Sequence, residues 1–250
     1  MVVGLETWRA HFADYANRYV LVGGVACAEL MNEAGLAFRA TKDLDVVLLV
    51  ELLDVGFAQA FWAFVEHGGY ERREKADGGK LYRFERPKTA DFPFMIELFS
   101  RAPEGFELAP DSQITPLPID EAAASLSAIL LDSGYYAYLC DNAKQVEGLP
   151  VLGEAALIPF KARAYLDLSA RKAGGDSVDS RTIRKHRNDV FRVLQLLPQG
   201  VVQDLPDPIS TDMKGFVAAV AADETFQPQD FGLELSADAA LARLRAAYGL

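Results

Sequence analysis

Three carboxylates in this sequence stand where carboxylates are costly. Asp43 and Asp45 flank Leu44 at the head of an aliphatic run ending at Val50. Glu97 interrupts Phe94-Met-Ile-Glu-Leu-Phe99, a segment otherwise wholly apolar. On a strand, residues i and i+2 project to one face, so Asp43 and Asp45 point the same way. Like charges on an apolar sheet repel each other and resist losing water. A purely structural account needs a cationic partner for each of them, an Arg such as Arg39 for Asp45. A divalent cation accounts for all three at once, because Mg²⁺ takes carboxylate oxygens together with phosphate oxygens.

A turn upstream bears on that choice. Tyr19-Val-Leu-Val22 reads as a strand, Gly23-Gly24 as a turn, and Val25 to Ala34 as a helix closed by Gly35. Glycines at such a junction let backbone approach a ligand, and the N–H groups that open a helix attract anions. A phosphate cradle, then Asp-x-Asp, then a later strand carboxylate is the logic of two-metal nucleotidyl transfer.

Other chemistries lack their residues. The chain has no GxSxG, HExxH, GxGxxG or GxxxxGK[ST] pattern. Asp77-Gly-Gly-Lys80 reads as a hairpin turn rather than a phosphate loop. His11, His67 and His186 have no metal-ligand spacing, and Cys27 and Cys140 form no CxxC. The net charge of −11 excludes a protein that coats nucleic acid through a general basic excess. The charge is uneven, however. Residues 161–192 hold nine Lys and Arg against four Asp, whereas 193–250 hold three basic against eight acidic residues. The basic stretch reads either as an anion site or as solvated helix faces.

The elements that would position the carboxylates are legible from periodicity. A helix is expected within 1–18, strands at 19–22, 44–50 and 92–99, and a helix over 55–66 from Phe57, Phe61 and Phe64. A hairpin is expected from 70–74 and 80–85, turning at Asp77-Gly78-Gly79. Strands are expected at 125–131 and 135–139. Helices follow near 154–172, 180–197, 210–222 and 236–247. Pro and Gly cluster from Pro103 to Pro118, which predicts a boundary there. The expected organisation is α+β: a small mixed-sheet domain with flanking helices over 1–115, then a mostly helical domain over 116–250 that completes the site. No charge-free stretch reaches the about 18–20 apolar residues of a spanning helix. The first residues carry Glu6 and Arg9 without an apolar core, so a cytoplasmic setting with no membrane partner is expected.

Taken together, Tyr19-Val-Leu-Val-Gly-Gly-Val-Ala-Cys-Ala-Glu-Leu30 and Arg39-Ala-Thr-Lys-Asp-Leu-Asp-Val-Val-Leu48 resemble the first motif of the DNA polymerase-β-like nucleotidyltransferase superfamily, in the form it takes in the AbiEii-like branch. The resemblance makes Gly23 and Gly24 the phosphate turn, Asp43 and Asp45 the metal ligands and Glu97 the third carboxylate. It continues in Leu157-Ile-Pro-Phe-Lys-Ala-Arg-Ala164, where Lys161 matches a lysine that faces the site, and in Lys185-His-Arg-Asn-Asp-Val-Phe-Arg192, where Asp189 matches an aspartate. Asn188 and Arg192 depart from that later motif. The motifs cover about a third of the chain.

The resemblance implies Mg²⁺ or Mn²⁺ as cofactor and an NTP as substrate. Lys161 would neutralise charge on the leaving pyrophosphate, Asp189 would orient Lys161 or the nucleotide, and Arg39 and Lys42 would contact phosphate or offset the carboxylates. It extends to toxins of toxin–antitoxin pairs, which implies tRNA as one acceptor and an antitoxin protein as a partner. Two other readings stay open: nucleotidylation of a small aminoglycoside-type cation, and a non-catalytic nucleotide-binding module. All three carboxylates are present, which speaks against the last.

Overall fold

The computed structural model describes residues 2–49, 52, 54–74, 81–100, 115–116, 125–126, 129–130 and 132–250. The chain divides into two compact units. One comprises Met1–Leu130 with Ala143–Leu152, the other Leu131–Asn142 with Gly153–Leu250. The first is a mixed sheet with helices and the second is helical, so the protein is α+β.

The sheet unit begins with α1 (Leu5–His11) and a short 3-10 turn, Ala13–Tyr15. Strand β1 (Tyr19–Leu21) leads directly into α2 (Gly23–Glu33), and β2 (Asp43–Leu48) follows. Helix α3 (Val55–Gly68) opens on Asp54, whose carboxylate accepts from the Phe57 N–H at 2.8 Å, and closes on Gly69 at φ 63°. Next come β3 (Glu71–Glu74), β4 (Leu81–Glu85), β5 (Met95–Ser100), β6 (Thr115–Pro116), β7 (Ala143–Val146) and β8 (Leu149–Leu152). The eight strands form one sheet in the order β6-β3-β4-β5-β2-β1-β8-β7. β1 runs antiparallel to β2, and β2 runs parallel to β5.

Register separates the two faces of this sheet. Leu44, Val46 and Leu48 of β2 share a face with Tyr19 and Leu21 of β1, Ile96 and Leu98 of β5, and Phe84 of β4. That face is covered by the aromatics of α1 and α3: Trp8 meets Tyr19 at 5.6 Å between ring centroids, and Phe61 meets Phe84 at 5.2 Å. The helical spacing of Phe57, Phe61 and Phe64 does this burying, and all three are core residues. The opposite face carries Asp43 and Asp45. The hydrophobic cover on one side thus determines which side is left for chemistry.

The helical unit contains α4 (Ser133–Asp141), α5 (Glu154–Ala173), α6 (Ser180–Val193), α7 (Asp207–Ala221) and α8 (Ala237–Tyr248). Asp179 caps α6, accepting from the Arg181 N–H at 2.9 Å, and Ser236 caps α8. Phe191 packs on Phe226 at 4.6 Å and Tyr165 on Phe216 at 5.2 Å to centre its core. Pro159 lies inside α5 and cannot donate to the carbonyl of Ala155 one turn back. That carbonyl instead accepts from the hydroxyl of Tyr248 at 2.8 Å and of Tyr138 at 3.4 Å. Burial pushes the Tyr138 phenol up to about 12 and the Tyr248 phenol well above its ordinary range. Both therefore remain donors throughout the physiological range.

Two expectations are corrected. Residues 135–139 are helical, because Asp132 accepts from the N–H groups of Gly134 and Tyr135 at 2.8 and 3.1 Å and so nucleates α4. Within 125–131, the described residues 125–126 and 129–130 are also helical. The β7–β8 hairpin was not expected. Its turn uses Glu147 at φ 49° with Gly148 at φ 81°, and Pro150 sits in the strand, which weakens the usual strand signal. This hairpin returns to the sheet beside β1, so the sheet unit draws on residues well beyond 115. Within the 70–74 and 80–85 segments, Glu71–Glu74 pairs antiparallel with Tyr82–Glu85, while the expected turn at 77–79 lies outside the described residues.

Candidate active site

Asp43 and Asp45 are half-buried at the start of β2 and on one face. Asp45 stands directly beside Glu97 in the parallel β2–β5 pair, and Asp43 beside Met95. Paired residues in a sheet share a face, so all three carboxylates lie on the same side. Glu97 is 5% exposed. Water screens it little, so it must have a cation or donors nearby.

The Gly23-Gly24 turn closes on this acidic face. Gly23 has φ 65°, a left-handed conformation that a side chain disfavours. A Cβ built on Gly23 would collide with Oδ2 of Asp45, and one on Gly24 would lie 2.6 Å from Oγ1 of Thr41. The Val22 N–H donates to the Asp45 carbonyl at 3.0 Å, so the turn is fastened to β2 by its backbone. Helix α2 begins here with no side-chain cap. Its opening N–H groups therefore stand beside the Asp45 carboxylate, where an anion and its counter-cation would meet.

The flanking cations divide. An Nη of Arg39 lies 3.6 Å from the position of a Gly24 Cβ, and its guanidinium stacks over Phe38 at 5.1 Å, so it borders the turn. Lys42 is exposed, with its ammonium 5.7 Å from the centre of the Phe94 ring.

Reading the residue types alone missed Arg83. This residue of β4 is the register partner of Glu97. Its Nε donates to Oε1 of Glu97 at 2.7 Å and its Nη2 donates to the same oxygen. An arginine between Tyr82 and Phe84 on a strand is itself a signal of a buried ionic partner. The partner's identity depends on the β4–β5 register, which spacing does not supply.

The donor set suits a hard divalent ion in part. Two carboxylates at i and i+2, beside a glycine turn that leaves no room for a Cβ, match an ion that also binds phosphate oxygens. Among the described residues, however, no three His, Cys, Asp or Glu side chains are gathered tightly enough to hold one ion. The third carboxylate is engaged by Arg83.

In the helical unit, Lys161 and Asp189 come together. Their Nζ and Oδ2 atoms are 3.5 Å apart, with side chains 6% and 0% exposed. Arg192 also donates to Asp189, at 3.1 Å. Lys161 belongs to the buried face of α5 that includes Leu157, Ile158 and Leu168. The apolar residues around it place it there, and Asp189 supplies the charge that makes the burial tolerable. The basic surface residues of 161–192 do not share this environment: Arg181, Arg184 and Lys185 are exposed on α6.

No family model matches the chain, and no curated protein is similar to it. Among solved structures, it is similar to the antibiotic-resistance factor ANT(2'')-Ia, whose solution structure has been described. Identity is 15%, over 88% of this chain and 92% of that one, with a TM-score of 0.39. Among the described residues no helix is long and apolar enough to cross a membrane.

Proposed function

We propose that this protein is a metal-dependent nucleotidyltransferase that moves a nucleoside monophosphate from an NTP to an acceptor hydroxyl and releases pyrophosphate. The observation that carries this reading is the closure of the Gly23 backbone onto the Asp45 carboxylate, on the face that also holds Asp43 and Glu97. Asp43 and Asp45 would hold Mg²⁺ or Mn²⁺, with Glu97 sharing the ion or accepting the acceptor's proton. The ion would supply charge to the triphosphate and acidify the attacking hydroxyl. The N–H groups that open α2 bind phosphate, and Arg39 beside them adds a positive charge. Lys161, which Asp189 holds within the helical unit, is the group proposed for charge on the departing pyrophosphate.

The acceptor in this reading is tRNA, with an antitoxin protein as the partner that restrains the enzyme. Exposed Arg181, Arg184 and Lys185 on α6 give the acidic chain a local basic surface for RNA. A second reading, a small cationic acceptor, has its own support. The carboxylate face continues through Glu85, the register partner of Met95, and Glu71, the partner of Glu85. Transfer assays with each α-labelled NTP, MgCl₂ and either tRNA or an aminoglycoside separate the two by where the label ends. Label on either acceptor, lost with EDTA and in Asp43→Asn/Asp45→Asn, supports the activity. An NTP-dependent thermal shift that survives both EDTA and the double substitution would overturn it, because the nucleotide would then bind elsewhere.

A further inference from the structure

Arg83 is a charged residue at the site to which no sequence motif assigns a role. Its side chain is 12% exposed and that of Glu97 is 6%, so this ion pair is shielded from water on both sides. Both donors fall on one oxygen, Oε1 of Glu97. Glu97 in turn stands beside Asp45 in the sheet. Two adjacent carboxylates on an apolar sheet need positive charge between or beside them. Arg83 provides that charge from the neighbouring strand. A divalent ion at Asp43 and Asp45 would provide it from the other side. The two sources of charge serve the same carboxylate, and an oxygen that holds two guanidinium donors is a poorer metal ligand.

We propose that Arg83 is a positioning residue that competes with a divalent cation for Glu97, and so sets how readily the third carboxylate joins a metal held by Asp43 and Asp45. The proposal rests on the metal-site reading above and adds a coupling that the reading does not require. A guanidinium that loses Glu97 to the metal is left on the same sheet face as Asp45, where phosphate oxygens would be its next partner. The competition therefore links metal entry to substrate charge, with no movement beyond two side chains. A bridge that only stabilises the fold would contribute equally whether metal is present or not.

The test is thermal unfolding of the whole chain against MnCl₂ alone, without nucleotide. Arg83→Met is expected to unfold at a lower temperature than wild type without Mn²⁺. Its half-saturating Mn²⁺ concentration should fall about tenfold, within the usual range of coupling between two sites. Arg83→Lys, which keeps the charge and loses the two-donor grip, should lie between them and carries the comparison if Arg83→Met does not fold. In a Glu97→Gln background the effect of Arg83 on Mn²⁺ affinity should vanish. Persistence of the same affinity gain in that background would overturn the proposal, because removal of a nearby positive charge would then explain it. Equal Mn²⁺ shifts in wild type and both Arg83 variants would also overturn it, while leaving the metal site in place. Absence of any shift in all of them, matched by Asp43→Asn/Asp45→Asn, would remove the metal site and the proposal with it.

Discussion

The ammonium of Lys161 lies 3.5 Å from Oδ2 of Asp189, and neither side chain is reached appreciably by water. A lysine in that position is a structural element of the helical unit as well as a proposed catalytic group. Its removal therefore has two readouts. Asp189 retains Arg192 when Lys161 is lost, so the carboxylate is not left without a cation. Lys161→Met is expected to remain folded, with a modest loss of melting temperature. Nucleotidyl transfer should fall by roughly 10² or more if the ammonium acts on transition-state charge. Near-normal transfer would restrict Lys161 to a structural role.

The reverse substitution is the more damaging. Asp189→Ala strands two cations, Lys161 and Arg192, around an apolar site. Breaking a buried pair by deleting one partner costs about 3–5 kcal/mol. Denaturant unfolding should show a loss in that range for Asp189→Ala and a much smaller one for Lys161→Met. Equal losses would mean that the pair contributes symmetrically and that Arg192 does not compensate.

Pro159 and Tyr248 give a prediction without reference to activity. The Tyr248 hydroxyl replaces the backbone donor that Pro159 lacks. Tyr248→Phe leaves the Ala155 carbonyl with the longer Tyr138 bond alone among those donors, and should cost about 1–3 kcal/mol. Pro159→Ala restores an N–H one turn from Ala155. In the Pro159→Ala background the cost of Tyr248→Phe should shrink, and the difference is measured by a double-mutant cycle. An unchanged cost would mean that the hydroxyl acts through packing.

Much of this arrangement is legible in the sequence where the signal is local. The Gly-Gly turn, the i, i+2 aspartates and the aromatic stripe of α3 follow from spacing. So do the long helices α5 and α6. What escapes is non-local. The pairing of Asp45 with Glu97 and of Glu97 with Arg83 depends on which strands are neighbours, and strand order is not written in any one segment. The β7–β8 hairpin escapes for a different reason. Its strands are short and one contains Pro150, and they become strands because β1 offers an edge to pair with. Residues 135–139 mislead because Tyr135, Tyr136, Tyr138 and Leu139 suit either period. The Asp132 cap decides between them.

Two carboxylates should bend the pH profile in opposite directions. Burial pushes Glu29 above the ordinary carboxylate range, with Arg9 at 3.4 Å only partly offsetting it. A raised native value means the native state binds the proton more tightly, so the contribution of Glu29 is fullest at low pH and is lost as pH rises through its folded value. Burial also acts upward on Asp223, but the Thr225 hydroxyl and N–H, and then Arg187, outweigh it and lower the net value. Its contribution is present above the unfolded carboxylate range and is lost as pH falls through the folded value. Glu29→Gln should thus raise stability at neutral pH relative to acid, and Asp223→Asn should reduce the loss on acidification. Urea midpoints across the acidic range check both signs, and parallel curves for either variant and wild type would contradict that assignment.

The closeness of Gly23 to Asp45 leads to a prediction in which one methyl group probes the site. Gly23→Ala has two costs: a side chain at φ 65°, and a collision with Oδ2 of Asp45. Gly35 has a similar φ of 70° but open space around its Cβ position, so Gly35→Ala isolates the backbone cost. That cost is about 1–2 kcal/mol. Gly23→Ala should exceed it, because Asp45 is held on a strand whose own carbonyl is bonded to the Val22 N–H and cannot retreat with the turn. The side chain must rotate instead, which moves the carboxylate from its place beside the turn. The Mn²⁺-dependent thermal shift should therefore weaken in Gly23→Ala and stay at the wild-type value in Gly35→Ala, once each is referred to its own metal-free melting temperature. A Gly23→Ala protein with an unchanged shift would show that the turn and the Asp45 carboxylate are neighbours without a shared function.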